Sequence, residues 1–407
     1  MAESIVSDGD LDVRDEYEQR AYRDWFPGTL EPAGEAVAGR WREPQGIGLA
    51  GAIAPFYALG GPRAVAIALG AAAAFAFVLA ALLARRMVPE PWATVGAGAV
   101  GLSPPVLGNA TAILPGLLAG GLLVLAMLCA LSLRERSSRV PAVVGAVALA
   151  ALPWLDPWLL VPGAPVAVAL VTWAARAPGR SGRRMSGLLP AEIMLASLVF
   201  CATLDDGLFG GVSPRAASPA PSPPLSDHLG RIVGLWVDRD AGLLRWAPVL
   251  ALAGVAAWAV WRSRREGLGR ALPARREAEL AAMLALSVCV GQWLVAVIAA
   301  PGIDPRGFPG ASWAPALPAT AALCGWGLRR APRAGAVLVA LTLAASAWLL
   351  IALRTGSAPS WDAPPRAPWG PLADAFPLAG TVAATVVGVA ALVVLAGLAA
   401  RADQGAV

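Results

Sequence analysis

Long apolar segments recur along this chain, and the arginines that separate them concentrate in every second loop. Segments near 64–86, 90–103, 107–132, 140–152, 157–175, 187–203, 243–262, 277–299, 312–328, 334–353 and 377–400 are apolar enough to sit in hydrocarbon. A bilayer core about 30 Å thick takes roughly 20 apolar residues as a helix, and only a helix or a closed barrel satisfies its own backbone hydrogen bonds there. The pattern predicts an all-α, polytopic transmembrane helix bundle of about 11 spans. The segment 48–60 is too short to cross. It ends at Gly60-Gly61-Pro62 and reads as a re-entrant or interfacial helix that feeds the first full span.

Composition agrees with a membrane protein. The chain is 57% apolar and only 14% charged, where a soluble domain carries about a quarter of its residues as charges. All 32 basic residues are arginine, and the net charge is +5. That excess is not a nucleic-acid signal, because the arginines cluster in short loops beside apolar runs. Arg85/Arg86, Arg134/Arg136/Arg139, Arg176/Arg180/Arg183/Arg184, the group from Arg262 to Arg276, Arg329/Arg330/Arg333 and Arg401 mark one face as cytoplasmic. The opposite face then receives the acidic amino-terminal segment, the loop Trp154-Leu155-Asp156-Pro157-Trp158 and the loops 204–242, 300–311 and 354–376.

This divides the chain into an extracytoplasmic acidic loop (1–47), an amino-terminal bundle (48–203), an extracytoplasmic Pro/Ser-rich loop (204–242), a carboxy-terminal bundle (243–400) and a cytoplasmic tail (401–407). The predicted location is the plasma membrane. Nothing ahead of the acidic loop is able to carry it across, so a first helix is expected upstream of Met1, with this chain truncated relative to the working protein.

Residue types exclude some chemistries. His228 is the lone histidine, and Cys129, Cys201, Cys289 and Cys324 all lie in apolar runs with no CxxC spacing. A histidine or cysteine metal site and a Ser-His-Asp triad are therefore not expected, and the cysteines read as small buried packing residues. The carboxylates of the head are the main candidates. Asp10, Asp12, Asp15 and Glu16 supply either a general base or oxygen ligands for a divalent cation that holds a phosphate. On the residues alone the alternative stands beside it: a solvated acidic loop that caps a helix at Asp12 or Asp15. Asp238-Arg239-Asp240, at the mouth of a span, is either a phosphate contact through Arg239 or a local ion pair. Asp156 reads as a turn or helix cap between two interfacial tryptophans. His228 falls in a loop and is expected to be exposed.

The stretch "SDGDLDVRDEYEQRAYRDWFPG" and the later "EPQGIGLAGAIAPFYALGG" together resemble the first outer loop of GT-C superfamily membrane glycosyltransferases related to the protein mannosyltransferases. "LSPPVLGNATAILPG", "ALPWLDPWLL", "GLWVDRDAGLLRWAPVL" and "FPGASWAPALP" follow in the order that family has them. The resemblance implies transfer of a sugar from a polyprenyl-phosphate donor to a lipid, glycan or protein acceptor on the outer face. It implies Asp10 and Asp12 as loop acids near the reaction, with the family's own acidic pair expected upstream of Met1. Asp15, Glu16, Asp238, Arg239 and Arg306 are the implied substrate contacts. Arg306 stands in for the family's late arginine, whose place is taken by Ala311, and Gly116 replaces the family's glutamate after Pro115. Those departures point to the competing expectation, a catalytically silent relative with a scaffold role, or a transporter.

Overall fold

The computed structural model of the chain describes residues 1–24, 28–135, 138–176, 183–218, 225–238, 242–266, 273–299 and 308–355. Among these residues the fold is all-helical. No strand forms, and a single isolated bridge pairs Val37 with Arg40.

A small polar head carries α1 (Ala2–Ser7), α2 (Arg14–Gln19) and a 3-10 turn at Ala21–Asp24. The bundle follows as α3 (Ile47–Arg85), α4 (Trp92–Gly101), α5 (Pro104–Ala110), α6 (Gly116–Glu135), α7 (Arg139–Ala150), α8 (Leu152–Leu155), α9 (Leu160–Arg176) and α10 (Arg183–Phe209). It continues through α11 (Leu225–Val237), α12 (Leu243–Trp246), α13 (Ala251–Arg265), α14 (Pro273–Ile298), α15 (Leu317–Arg330) and α16 (Pro332–Arg354).

Among the described residues, six helices are long and apolar enough to cross a membrane: Ile47–Arg85, Gly116–Glu135, Pro157–Arg176, Leu188–Ala217, Arg275–Ile298 and Pro332–Arg354. The segments expected as spans near 90–103, 140–152, 243–262 and 312–328 contain shorter helices. α4 has 10 residues, α7 has 12, α13 has 15 and α15 has 14. Proline explains much of the shortening, since it removes a donor and clashes with the preceding turn. Pro104-Pro105 follows the end of α4, Pro248 precedes α13, and Pro315 and Pro318 mark the start of α15. α15 is also buried without a break from Leu317 to Leu328, and only its final Arg329 and Arg330 emerge. It is a core helix wrapped by protein, and at about 1.5 Å per residue it spans only about 21 Å. The expected span 377–400 lies outside the described residues.

α3 divides where the sequence indicates. Its backbone leaves the helical region at Gly60 and Gly61, with Gly61 at φ 62° and ψ −153°, a conformation that L side chains essentially never adopt. Pro62 then opens the second half with a φ that already suits a helix.

Side-chain contacts define two ends of the bundle. At one end the arginines gather: Arg86 pairs with Glu135, Arg134 Nη2 reaches Glu277 Oε1 at 2.8 Å, and Arg275 Nε donates to Ser263 Oγ at 3.2 Å beside buried Glu279. At the other end the polar head sits on the bundle, and Ser346 Oγ donates to Leu102 O at 2.7 Å. Between the ends small residues allow backbones to touch, as in helix packing generally within membranes. A Cβ on Gly96 would lie 2.5 Å from the Gly325 backbone, and one on Gly327 would lie 2.1 Å from Leu252 O. The four cysteines are buried and unpaired, as packing residues.

The loop expected over 204–242 is more ordered than a linker. α10 runs on to Phe209, a 3-10 turn forms at Pro214–Ala217, and α11 occupies Leu225–Val237. His228 is part of α11. It is half-buried, with its Nδ1 2.9 Å from Val297 O, rather than freely exposed.

Candidate functional site

The head folds around buried Ser4, Val13 and Tyr22. Ser4 Oγ lies 2.9 Å from Asp10 Oδ1 and 2.8 Å from Asp12 O, which fixes the turn after α1. Asp10 Oδ1 also accepts from Asp12 N at 3.0 Å. Asp12 Oδ1 accepts from Trp41 N at 3.0 Å and from Arg14 N at 3.3 Å, while Val13 N donates to Trp41 O at 2.8 Å. Residues 12–13 are thereby sewn to Trp41. Asp10 and Asp12, expected nearest the chemistry, use these oxygens to shape the backbone. The N-cap of α2 is Val13, with no side-chain cap, so the cap expected at Asp12 or Asp15 does not form; Asp12 shapes the turn ahead of the helix through the Arg14 and Trp41 amides.

The carboxylates that come together are different ones. Gly9, at φ 74°, reverses the chain after α1. Asp8 thereby meets the first turn of α2, and one oxygen each from Asp8, Asp15 and Glu16 lies within 4.8 Å of the others. Asp15 and Glu16 were expected contacts; Asp8 was not singled out. Both Glu16 oxygens are sealed from solvent, and no donor among the described residues reaches them. Burial, and then the hydrogen bond with Asp15, push the Glu16 carboxyl up to about 7. The same bond holds Asp15 below the ordinary carboxylate range. Two acids in contact share one proton more easily than they carry two charges, so the pair titrates as a unit. Glu16 keeps the proton and Asp15 the charge.

Further contacts brace the head around this pair. Tyr17 Oη donates to Glu43 Oε1 at 2.5 Å, and burial together with that bond pushes the phenol well above its usual value. Arg14 lies 5.6 Å over the Trp41 ring. The head is anchored to the bundle by Arg42 Nη1 donating to Leu208 O at 2.8 Å and by Glu35 N donating to Ala217 O at 2.8 Å. Gly46 and Gly48 press against the backbone of Trp154 and Leu155, leaving no room for a Cβ. Asp156 lies beside them. It caps the 3-10 turn at Pro157–Leu159 by accepting from Trp158 N at 3.0 Å, the role expected of it. Arg215 Nη2 approaches Asp156 Oδ2 at 3.7 Å. Burial pushes Asp156 up, opposed by the Trp158 amide and the Arg215 charge.

Chemically, a carboxyl pair that titrates near neutrality is suited to accept a proton from a hydroxyl. The three clustered carboxylates also have the oxygen chemistry that a divalent cation takes, and binding one would displace the shared proton. Asp238 ends α11, where its N–H donates to Gly234 O at 2.8 Å and its carbonyl accepts from Gly242 N at 3.2 Å. Arg239 and Arg306 lie outside the described residues. Comparison with protein-family models, curated proteins and solved structures finds no match to this chain.

Proposed function

We propose that this chain is a GT-C-like membrane glycosyltransferase that moves a sugar from a polyprenyl-phosphate donor to a lipid, glycan or protein acceptor. The observation that carries the proposal is the Asp15–Glu16 pair beside Asp8, with the Glu16 carboxyl raised to about 7, on a head anchored against one end of an apolar bundle. In the reaction the ionised pair takes the proton of the acceptor hydroxyl as its oxygen bonds to the anomeric carbon. The bond from that carbon to the phosphate oxygen breaks, and the polyprenyl phosphate departs with the electron pair. Arg239 and Arg306 are assigned to the departing phosphate, because guanidinium groups grip phosphate through paired hydrogen bonds. A divalent cation on the carboxylates would add charge stabilisation for that phosphate. The same proposal includes the topology of about 11 spans, with arginine loops in the cytoplasm, the head outside and the chain in the plasma membrane.

Reconstitution of the full chain with a radiolabelled polyprenyl-phosphate sugar and extracted envelope acceptors tests this. Transfer is expected from the wild type and is expected to fall by two orders of magnitude or more in Glu16→Gln and Asp15→Asn. Equal transfer by all three proteins would remove the head from the chemistry. A scaffold reading is favoured by Asp10 and Asp12, which spend carboxylate oxygens on backbone amides. It predicts no transfer by any of the three.

A further inference from the structure

Three polar side-chain atoms at the head end of the bundle are sealed from solvent with no partner among the described residues: Asn109 Oδ1, Gln292 Oε1 and Trp313 Nε1. Their residues are 4%, 3% and 2% exposed. They belong to different elements, yet all converge on one turn, residues 308–316. Asn109, on α5, directs its Nδ2 at Pro105 O, 2.7 Å away, and at Phe308 O, 3.5 Å away. Gln292, on α14, donates through Nε2 to Ser312 O at 2.8 Å. Both amide groups face carbonyl oxygens, which only accept. The NH2 of each must therefore point there, and the orphaned atom is the oxygen. Trp313 lies in the turn itself, its ring edge-on to Trp236 of α11 with centroids 4.9 Å apart. Phe308, at the start of the turn, meets Trp246 of α12 at 5.1 Å in the same manner.

Buried polar atoms in native proteins are almost always satisfied, and leaving one unpaired is costly. Three around one turn mark a place that something else completes. A partner that completes all three must donate to two amide oxygens and accept from an indole N–H, as a buried water or a hydroxyl group does. A phosphate or carboxylate only accepts and would meet two carbonyl oxygens. A metal ion would satisfy the oxygens but be repelled by the N–H. Hydroxyl groups both donate and accept, and a pyranose presents several of them on a ring whose apolar face suits aromatic neighbours.

We propose that the turn 308–316 closes over a binding site for the hydroxyl groups of a sugar ring, with Asn109, Gln292 and Trp313 as its polar contacts and Trp236 among its aromatic walls. The turn must move outward to admit the ring, since no solvent reaches the three atoms as they stand. The choice of a lipid-linked sugar as probe rests on the glycosyltransferase reading. The site itself does not depend on the head carboxylates.

The test uses the purified full chain in nanodiscs, titrated with short-chain polyprenyl-phosphate mannose or with the same polyprenyl phosphate lacking sugar, and read by tryptophan fluorescence. The wild type should bind the sugar-bearing lipid the more tightly. Trp313→Phe keeps the ring and removes the N–H, and Gln292→Met keeps the length and removes the oxygen. Each should weaken the sugar-bearing lipid by about five- to tenfold and leave the bare lipid unchanged. Without ligand, Trp313→Phe should melt no lower than the wild type, because it deletes an unpaired donor. Equal affinity of the wild type for both lipids, or an equal loss for both lipids in the variants, would overturn the site. Discrimination that survives in a chain with no transfer activity would uphold this site and sink the transferase.

Discussion

Replacing Glu16 with glutamine isolates the energetics of the head, because it removes one ionisation and keeps the shape. In the folded protein this carboxyl is raised from 4.5 to about 7. Between those values the folded chain holds a proton that the unfolded chain has released, so stability falls as pH rises across the window. The cost is absent below about pH 4.5 and complete above about pH 7. At about 1.4 kcal/mol per pH unit the full displacement converts to roughly 3 kcal/mol, and because Glu16 as a residue is only partly buried, solvent screening through its surroundings reduces it to about 1–2 kcal/mol. Glu16→Gln should therefore be more stable than the wild type by about 1–2 kcal/mol above pH 7 and equal to it near pH 4. In a chain of this size that is on the order of 1–2 °C in the melting midpoint. Thermal unfolding in detergent, followed by tryptophan fluorescence in steps from pH 4 to 9, measures it. A wild-type midpoint that rises between pH 5 and 7 relative to the variant would refute the shared-proton account.

Other perturbations test the fold. Gly61→Ala forces a side chain into φ 62°, ψ −153° and should cost about 1–3 kcal/mol, seen as a lower melting midpoint; an unchanged midpoint would mean α3 is not broken there. Gly327→Ala places a methyl 2.1 Å from Leu252 O and should cost about 2–3 kcal/mol or prevent folding, read as loss of the monodisperse peak on size exclusion. Arg215→Ala removes an ion pair 3.7 Å long and half open to solvent, and should change the midpoint by the equivalent of less than about 1 kcal/mol.

Much of the bundle was legible because hydrophobic length and helix breakers act locally. Among the described residues the apolar runs gave six helices of crossing length, and Gly60-Gly61-Pro62 marked the break in α3. Asp156 was readable as a cap because it directly precedes Pro157. The short helices were harder. Whether an apolar run such as 312–328 faces lipid or is buried by its neighbours depends on tertiary packing, and α15 turns out to be buried from Leu317 to Leu328. α11 was concealed by the Pro- and Ser-rich residues before it, which read as linker.

The candidate site was legible only in part, for the same reason. Asp15 and Glu16 adjoin in the chain, but consecutive helix residues diverge by about 100°, so their contact is not readable from adjacency, and the arrival of Asp8 depends on the reversal at Gly9. Asp10 and Asp12 looked equally available until Ser4 and Trp41 were seen to engage them. Asn109, Gln292 and Trp313 carry no motif. Only the folding of α5, α14 and the turn 308–316 together reveals them.

The initial rate of sugar transfer as a function of pH tests the central claim most directly, measured on the reconstituted chain with a fixed acceptor. The account predicts a rate that climbs about tenfold per pH unit below about pH 7 and levels above it as the carboxyl pair gives up its proton, with Glu16→Gln flat and at least two orders of magnitude slower. A profile with no break near pH 7, or the same profile in both proteins, would contradict it.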